Sequence, residues 1–194
     1  MWLQAILTAD DLMHALQELT PTRIQLDEDD SSRSLSLEPP TEVKFRDGAG
    51  ALVRTSARLK WDVVGITVPV ALRTVQVLLI PTIEQGEDGA DALVLQAKLE
   101  ELDLSALPGF VEDKLRNRIN QALEKPSAFV RWKFTKTLDF SFRLPDSVVP
   151  SRELHLSARW GAIRVSEQGF VMAASFSFLA SVPPGEPAIA GKTR

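Results

Sequence analysis

The side chains best suited to acid–base chemistry are the two histidines, His14 and His155, because histidine titrates near neutral pH. His14 lies in a helical pattern among acidic residues, and His155 shares the polar side of a strand pattern with Glu153 and Arg159. The sequence contains no G-x-S-x-G, H-E-x-x-H or phosphate-binding glycine motif. We therefore predict no catalytic residues and do not expect an enzyme.

The sequence contains few residues arranged to bind a metal or a cofactor. The chain has no cysteine, so disulfides and thiolate metal sites are excluded. The acidic run Asp27–Asp30 lacks the glycine and the spaced ligands of a calcium loop. We interpret this run as a solvated turn, and we predict no metal and no cofactor.

Length and charge narrow the class of protein. The chain has 194 residues, of which 44% are hydrophobic and 25% charged, which is typical of a globular domain. A net charge of −4 argues against nucleic-acid binding. The N-terminal apolar stretch is short and has no basic flank, unlike a secretory signal. No apolar window is long enough to span a membrane. These features predict a cytoplasmic protein with at most peripheral membrane contact.

Two segments carry helix signals. In "TADDLMHALQELTP", Thr8 and Asp11 resemble a capping box and Pro21 ends a short N-terminal helix. In "LPGFVEDKLRNRINQALEK", apolar residues recur at every third or fourth position between Pro108 and Pro126. This second pattern predicts an amphipathic helix of about 18 residues, or about 27 Å.

The rest of the chain has the alternation of β-strands. Short strands are expected at Arg23–Leu26 and Ser34–Leu37, and long ones in residues 50–104 and 152–182. The strongest pattern runs from Ala128 to Leu144, where every second residue is apolar except Lys136. A strand of this length spans about 56 Å and must bend or coil. The alternation also changes phase at Gly161, as at a β-bulge or a barrel corner.

These elements predict an α+β fold. One long, strongly curved antiparallel β-sheet would wrap around one long amphipathic helix, with a short N-terminal helix beside it, because the sheet must bury one face and the helix one stripe. Residues 1–182 would form a single domain. The proline- and glycine-rich residues 183–194 would form a flexible C-terminal tail.

The order of these elements, and above all the segment "KLEELDLSALPGFVEDKLRNRINQALEK" followed by an alternating strand, resembles the tubular lipid-binding (TULIP) superfamily. The likeness is to a small single-domain bacterial member, or to one half of a bactericidal permeability-increasing-protein-like module. The resemblance implies a bent sheet around a helix, with lipid acyl chains between them. Relatives with a secretion signal and cysteines differ from this chain.

The predicted function is therefore the binding or carriage of a lipid, fatty acid or other elongated apolar ligand in a groove between helix and sheet. Candidate lining residues are apolar side chains on the long helix and the facing strands: Val111, Leu115, Ile119, Leu123, Trp132, Phe134, Phe140, Phe142, Trp160, Phe176 and Phe178. Basic side chains form a candidate head-group or partner patch: Lys125, Arg131 and Lys133.

A second function stays open at the level of sequence. The same apolar residues fit a filled core, in which case the protein is a non-enzymatic interaction or scaffold module with a protein partner. The charge distribution fits both hypotheses, because residues 114–143 contain eight basic and two acidic residues. Such an asymmetry steers either a protein partner or a phospholipid head group.

Overall fold

The computed structural model describes residues 1–26, 33–63, 66–85, 91–103, 109–125, 128, 130–143 and 153–181. Of residues 61–63, 66–69 and 109–114 it describes the backbone alone. The acidic run Asp27–Asp30 and the predicted tail at 183–194 lie outside the described residues.

Strands dominate the described part of the chain, which contains eleven strands and three helices. The strands are β1 Trp2–Leu7, β2 Thr22–Gln25, β3 Ser34–Leu37, β4 Glu42–Arg46, β5 Gly50–Val63, β6 Ile66–Gln85, β7 Asp91–Leu102, β8 Val130–Trp132, β9 Phe140–Arg143, β10 Glu153–Ser166 and β11 Gly169–Ser181. The helices are α1 Ala9–Leu19, α2 Gly109–Leu123 and α3 Phe134–Thr137.

These strands form two antiparallel sheets. A four-stranded sheet has the order β1-β11-β10-β9, and a seven-stranded sheet has the order β2-β3-β5-β6-β7-β8 with β4 also paired to β5. The prediction of one sheet around one long helix is wrong, because the described strands form two sheets that share two buried apolar clusters. The longest described helix, α2, has 15 residues and a length of about 22 Å, so a long central helix is absent from the described residues.

The predicted long strand between Ala128 and Leu144 is also wrong. Within it, β8 pairs with β7 of the seven-stranded sheet, β9 pairs with β10 of the four-stranded sheet, and α3 carries the chain from one to the other. Phe134 and Thr135 are consecutive and both buried, which an alternating strand does not allow. Lys136, the exception to the alternation, lies in this helical turn.

Phe134 fills the space between the two sheets. It is fully buried among Leu156, Ala158 and Phe176 of the four-stranded sheet, and partly buried Ile83 and Leu93 of the seven-stranded sheet pack against this cluster. The hydroxyl of the neighbouring Thr135 donates a hydrogen bond to the Asp91 carbonyl at 3.1 Å. These long-range contacts explain why the segment leaves the extended conformation.

Gly161 makes room for the same ring. A Cβ atom at Gly161 would lie 2.9 Å from Cε2 of Phe134 and closer still to Cζ. The register of β10 against β11 shifts between Ala158 and Trp160, directly before this glycine. The bulge therefore accounts for the phase change in the sequence, and the close approach of a buried ring accounts for the glycine.

The predicted N-terminal helix is confirmed as α1. Thr8 is its N-cap and forms a capping box with Asp11, whose carboxylate accepts hydrogen bonds from the Thr8 backbone N–H at 3.0 Å and from its hydroxyl at 2.6 Å. The hydrogen bonds from Thr8 lower the pKa of Asp11 below its ordinary value of 3.8. One side of α1 packs on the sheets through buried Leu12.

We expect Thr8→Ala to lower the free energy of unfolding by about 1 kcal/mol and the melting temperature by about 2–4 °C. Because the folded-state pKa of Asp11 is lowered, its contribution is complete above pH 3.8 and is lost as the pH falls through the folded-state pKa. Thermal melts at several pH values should therefore show a difference between wild type and variant that shrinks under acid. A difference that stays constant down to about pH 2 would contradict this role of the carboxylate.

Candidate functional site

An apolar cavity of about 440 Å³ lies between α2 and the inner face of the seven-stranded sheet. Its aliphatic walls come from α1, α2 and six strands. The apolar lining residues are Leu16, Leu19, Ile24, Leu35, Leu37, Pro40, Val53, Val77, Leu79, Ala97, Leu99, Ile119, Ala122, Leu123, Ala128 and Val130. The volume falls within the ~300–1,000 Å³ range of small-molecule sites.

Strong curling of the sheet creates this cavity. β2 and β8 stand at opposite edges of the strand order, yet Ile24 of β2 and Val130 of β8 line the same space. The two edges of the sheet must therefore approach each other around the end of α2. A register shift between Thr55 and Ala57 marks an irregularity in the pairing of β5 with β6, and such shifts increase local twist and bending.

The strand period supplies most of the wall. Leu35 and Leu37 are two residues apart on β3, and Ala97 and Leu99 are two residues apart on β7. Leu79 of β6 lies opposite Ala97. Side chains two positions apart project from the same face. Each strand therefore contributes one or two aliphatic side chains to the cavity.

Asn120 holds α2 over this face. Its side-chain carbonyl accepts a hydrogen bond from the Leu99 backbone N–H at 2.8 Å, and its amide group donates to the Leu99 carbonyl at 3.3 Å. The described pairing of β7 with β8 covers only Leu93–Leu95 and does not reach Leu99. At Leu99, the Asn120 amide therefore bonds the backbone N–H and carbonyl that a neighbouring strand would otherwise bond. This contact fixes the orientation in which Ile119 and Leu123 face the cavity.

Charged side chains also line the cavity. Arg23 of β2 and Lys125, just after α2, bring two positive charges, and Glu38 brings one negative charge. Glu38 Oε1 lies 2.9 Å from Nε of Arg58, which is not among the lining residues. The buried hydroxyl of Thr55 donates to the Glu38 carbonyl at 2.6 Å. The charged part of the lining is therefore net positive.

The predicted lining residues on the helix lie in three different settings. Ile119 and Leu123 are buried and line the cavity. Leu115 is buried in the same apolar cluster but is not among the lining residues. The side chain of Val111 lies outside those that the structure describes.

The predicted aromatic residues lie outside the cavity. Phe134 and Phe176 are buried in the separate cluster between the sheets. The remaining five are substantially exposed: Trp132, Phe140, Phe142, Trp160 and Phe178. The strands carrying these residues showed the clearest alternation in the sequence, but four of the five exposed side chains belong to the four-stranded sheet, away from α2.

The basic residues of the predicted head-group patch have separate environments. Lys125 lines the cavity. Arg131 donates a hydrogen bond to Glu84 at 2.8 Å on the surface. Lys133 is exposed and precedes α3. Of the three, Lys125 alone is placed to meet a ligand in the cavity.

Sequence reasoning missed the lining residues of α1, β2, β3, β5, β6 and β7. Their alternation was visible, as in Leu35 and Leu37 or Val77 and Leu79. Aliphatic alternation looks the same in a filled core and in a cavity wall, so it gave no reason to select these residues.

A cluster of polar side chains, separate from the cavity, surrounds His155 on the outer face of the four-stranded sheet. Its Nδ1 lies 2.7 Å from Ser141 Oγ and its Nε2 lies 3.1 Å from Asp139 Oδ1, which also accepts from Ser157 at 2.9 Å. The side chains of His155 and Asp139 are 39% and 45% exposed. Nucleophilic catalysis depends on donors preorganised in a water-excluded site, which this open surface does not provide. We interpret the cluster as a cross-strand network that fastens β9 to β10.

The described residues contain no group of three or more histidine, aspartate and glutamate side chains arranged to hold a metal ion. In the same part of the chain, none of the helices has the length and apolar character needed to cross a bilayer. Comparison with protein-family models, with curated proteins and with solved structures finds no match for this chain. The functional proposals therefore rest on the residues of this chain.

Proposed function

We propose that the protein binds one elongated apolar molecule with an anionic head group, of the fatty-acid type, in the cavity beneath α2. The observation that carries this proposal is an unfilled space of about 440 Å³ with largely aliphatic walls. A filled core leaves few voids larger than a water molecule. Burial of methylene groups in such a space contributes about 0.8 kcal/mol each.

The shape of the cavity supports a chain-like ligand. The lining residues run across β3, β5, β6 and β7, which are neighbours in the sheet. Three spacings between adjacent strands amount to about 14 Å. An extended acyl chain lying across these strands would contact one or two aliphatic side chains on each of them.

The charges support an acidic head. Arg23, Lys125 and Glu38 line the cavity, so its lining carries two positive charges and one negative charge. A carboxylate or phosphate would gain favourable electrostatic interactions there, and an ammonium head would not. The resemblance to the tubular lipid-binding superfamily points to the same class of cargo, and membership of that superfamily stays a prediction.

Titration of the protein with a fluorescent long-chain carboxylate tests the proposal directly. We expect saturable uptake of one molecule per chain, together with displacement by an unlabelled fatty acid. A long-chain alcohol should compete more weakly, because it lacks the charge. If neither amphiphile binds, the cavity is not a site for this class of ligand.

The double variant Arg23→Gln with Lys125→Gln should weaken binding of the carboxylate about 2- to 30-fold, since partly exposed charges contribute about 0.2–1 kcal/mol each. Binding of the alcohol should change less than twofold. Lys60→Gln and Arg164→Gln remove the same charge at exposed positions outside the cavity lining and serve as controls. If the carboxylate and the alcohol lost affinity equally, these cations would not recognise the charge of the head group.

A further inference from the structure

Strand β1 ends the four-stranded sheet and pairs, among the described strands, with β11 alone. The amino group of Met1 donates to the Phe176 carbonyl at 3.0 Å, and the Phe176 N–H donates to the Met1 carbonyl at 2.8 Å. This exchange makes Met1 and Phe176 a hydrogen-bonded pair, so every second residue from Met1 onward bonds β11. The backbone N–H and C=O groups of the residues between them point to the free edge: Trp2, Gln4 and Ile6.

These free-edge groups have no hydrogen-bond partner within the described part of the chain. Only the backbone of another extended segment offers donors and acceptors at their spacing. The chemistry of this edge therefore calls for a β-strand as its partner.

The other described strands with a single neighbour are shorter and carry charge. They are β2, β4, β8 and β9, which have three to five residues each. Each has at least one charged residue: Arg23 in β2, Glu42, Lys44 and Arg46 in β4, Arg131 in β8 and Arg143 in β9. Short length and charge prevent an edge from pairing with another chain. β1 has six residues, "WLQAIL", with no charge and no proline, so it lacks this protection.

The side chains of β1 are also suited to a contact. All six residues are exposed, and large apolar side chains flank the free edge on both faces. Trp2 and Ile6 share one face and are 49% and 44% exposed, and Leu3 and Leu7 share the other. A strand paired to β1 would cover part of each.

The sequence of β1 is complementary to itself in one antiparallel register. With Gln4 opposite Gln4 of a second copy, Trp2 of each copy lies opposite Ile6 of the other. All three free-edge residues then form hydrogen-bonded pairs, whereas a shift by two residues leaves one of them unpaired. Aromatic and β-branched side chains opposite each other stabilise a sheet, and the two Gln4 amides can bond each other. This register has twofold symmetry, as the commonest dimers do.

We propose that two copies of the chain pair antiparallel through β1, so that their four-stranded sheets become one continuous sheet with a twofold axis at Gln4. A second copy is the partner that the register favours, because it brings the same three free residues at matching positions and no opposing charge. The inference does not depend on the cavity, which lies beneath the seven-stranded sheet. Failure of either proposal leaves the other standing.

Disulfide cross-linking tests the register, since the chain has no cysteine of its own. In the proposed pair the two Gln4 Cα atoms lie about 5.5 Å apart, within the range that a disulfide bridges. Under mild oxidation, Gln4→Cys should therefore form a covalent dimer that a reductant reverses. Leu3→Cys is the matched control, because the two Leu3 residues are offset along the strands and lie about 8 Å apart. It should cross-link at least fivefold more slowly.

Sedimentation analysis of the full chain tests the pairing itself. Between about 1 and 200 µM we expect a reversible dimer. Gln4→Pro removes the free-edge N–H without removing a hydrogen bond to β11, and Gln4→Lys places like charges opposite each other on the axis. Each variant should raise the dissociation constant at least tenfold. Gln17→Lys, at an exposed position of α1, adds the same charge and should dimerise as the wild type does.

Three results would overturn the inference. The first is a monomer throughout this concentration range, and the second is a dimer that Gln4→Lys leaves unchanged. The third is equal cross-linking of Gln4→Cys and Leu3→Cys, which would mean another register or random collision. A thermal melt checks that each variant is folded. If Gln4→Pro fails to fold, Gln4→Lys and the two cysteine variants decide the outcome.

Discussion

Replacing Phe134 with alanine is expected to lower the free energy of unfolding by about 3–5 kcal/mol. The ring is fully buried and contacts both sheets, so its removal leaves a cavity at their junction. Equilibrium unfolding in urea measures the loss as a shift in midpoint. We expect the urea dependence (m-value) to change little, since the surface exposed on unfolding remains nearly the same.

Phe140→Ala provides a matched control for this variant. The residue lies six positions along the chain and carries the same ring, but it is 47% exposed. Its truncation should cost less than about 1 kcal/mol, because surface changes have small effects on stability. Equal effects of the two variants would contradict the placement of Phe134 between the sheets and would revive the single long strand through this segment.

Replacing Ala97 with tryptophan is expected to reduce the affinity for a long-chain carboxylate at least tenfold, or about 1.4 kcal/mol. Ala97 lies in the middle of β7, opposite Leu79, and both line the cavity. The indole would occupy the space that the proposal assigns to the acyl chain. Because it enters a void rather than a filled core, we expect the melting temperature to fall by no more than about 5 °C.

Ala71→Trp is the corresponding control. Ala71 lies on β6 of the same sheet, is exposed, and does not line the cavity. This variant should bind the carboxylate with wild-type affinity. If Ala97→Trp also bound normally while remaining folded, the ligand would have to lie elsewhere. If Ala97→Trp lost several kilocalories of stability, the space beside Ala97 would be filled by protein atoms.

The sequence predicted those elements whose signals are local. The capping box of Thr8 and Asp11 identified α1, and the alternation of residues 34–37 identified β3 with the observed bounds. The apolar period between Pro108 and Pro126 identified α2, whose 15 described residues are fewer than the predicted length of about 18.

The division into two sheets depends on contacts that the sequence does not display. Nothing in the alternation of residues 128–144 shows that β8 pairs with β7 and β9 with β10. The helical turn between them is stabilised by burial of Phe134 and by the hydrogen bond from Thr135 to Asp91, 44 positions away. In the sequence, the one sign of this turn was Lys136, the single polar residue among the alternating apolar positions.

The candidate site was predictable only in part. The apolar stripe of α2 identified Ile119 and Leu123 as lining residues. The opposite wall was assigned to the aromatic strands, because large rings dominate a hydrophobic pattern. The structure places smaller aliphatic residues such as Leu79 and Ala97 there instead. Small side chains are what leave space for a ligand, and sequence periodicity does not distinguish them from ordinary core.

Native mass spectrometry of the freshly purified protein, followed by solvent extraction and lipid analysis, tests the central claim most directly. We expect a bound species of near-unit stoichiometry that is released as a fatty acid or another acidic amphiphile, and its absence from Ala97→Trp. A clean apo mass, with no adduct after incubation with excess fatty acid, would contradict the proposal that the cavity beneath α2 is a ligand site.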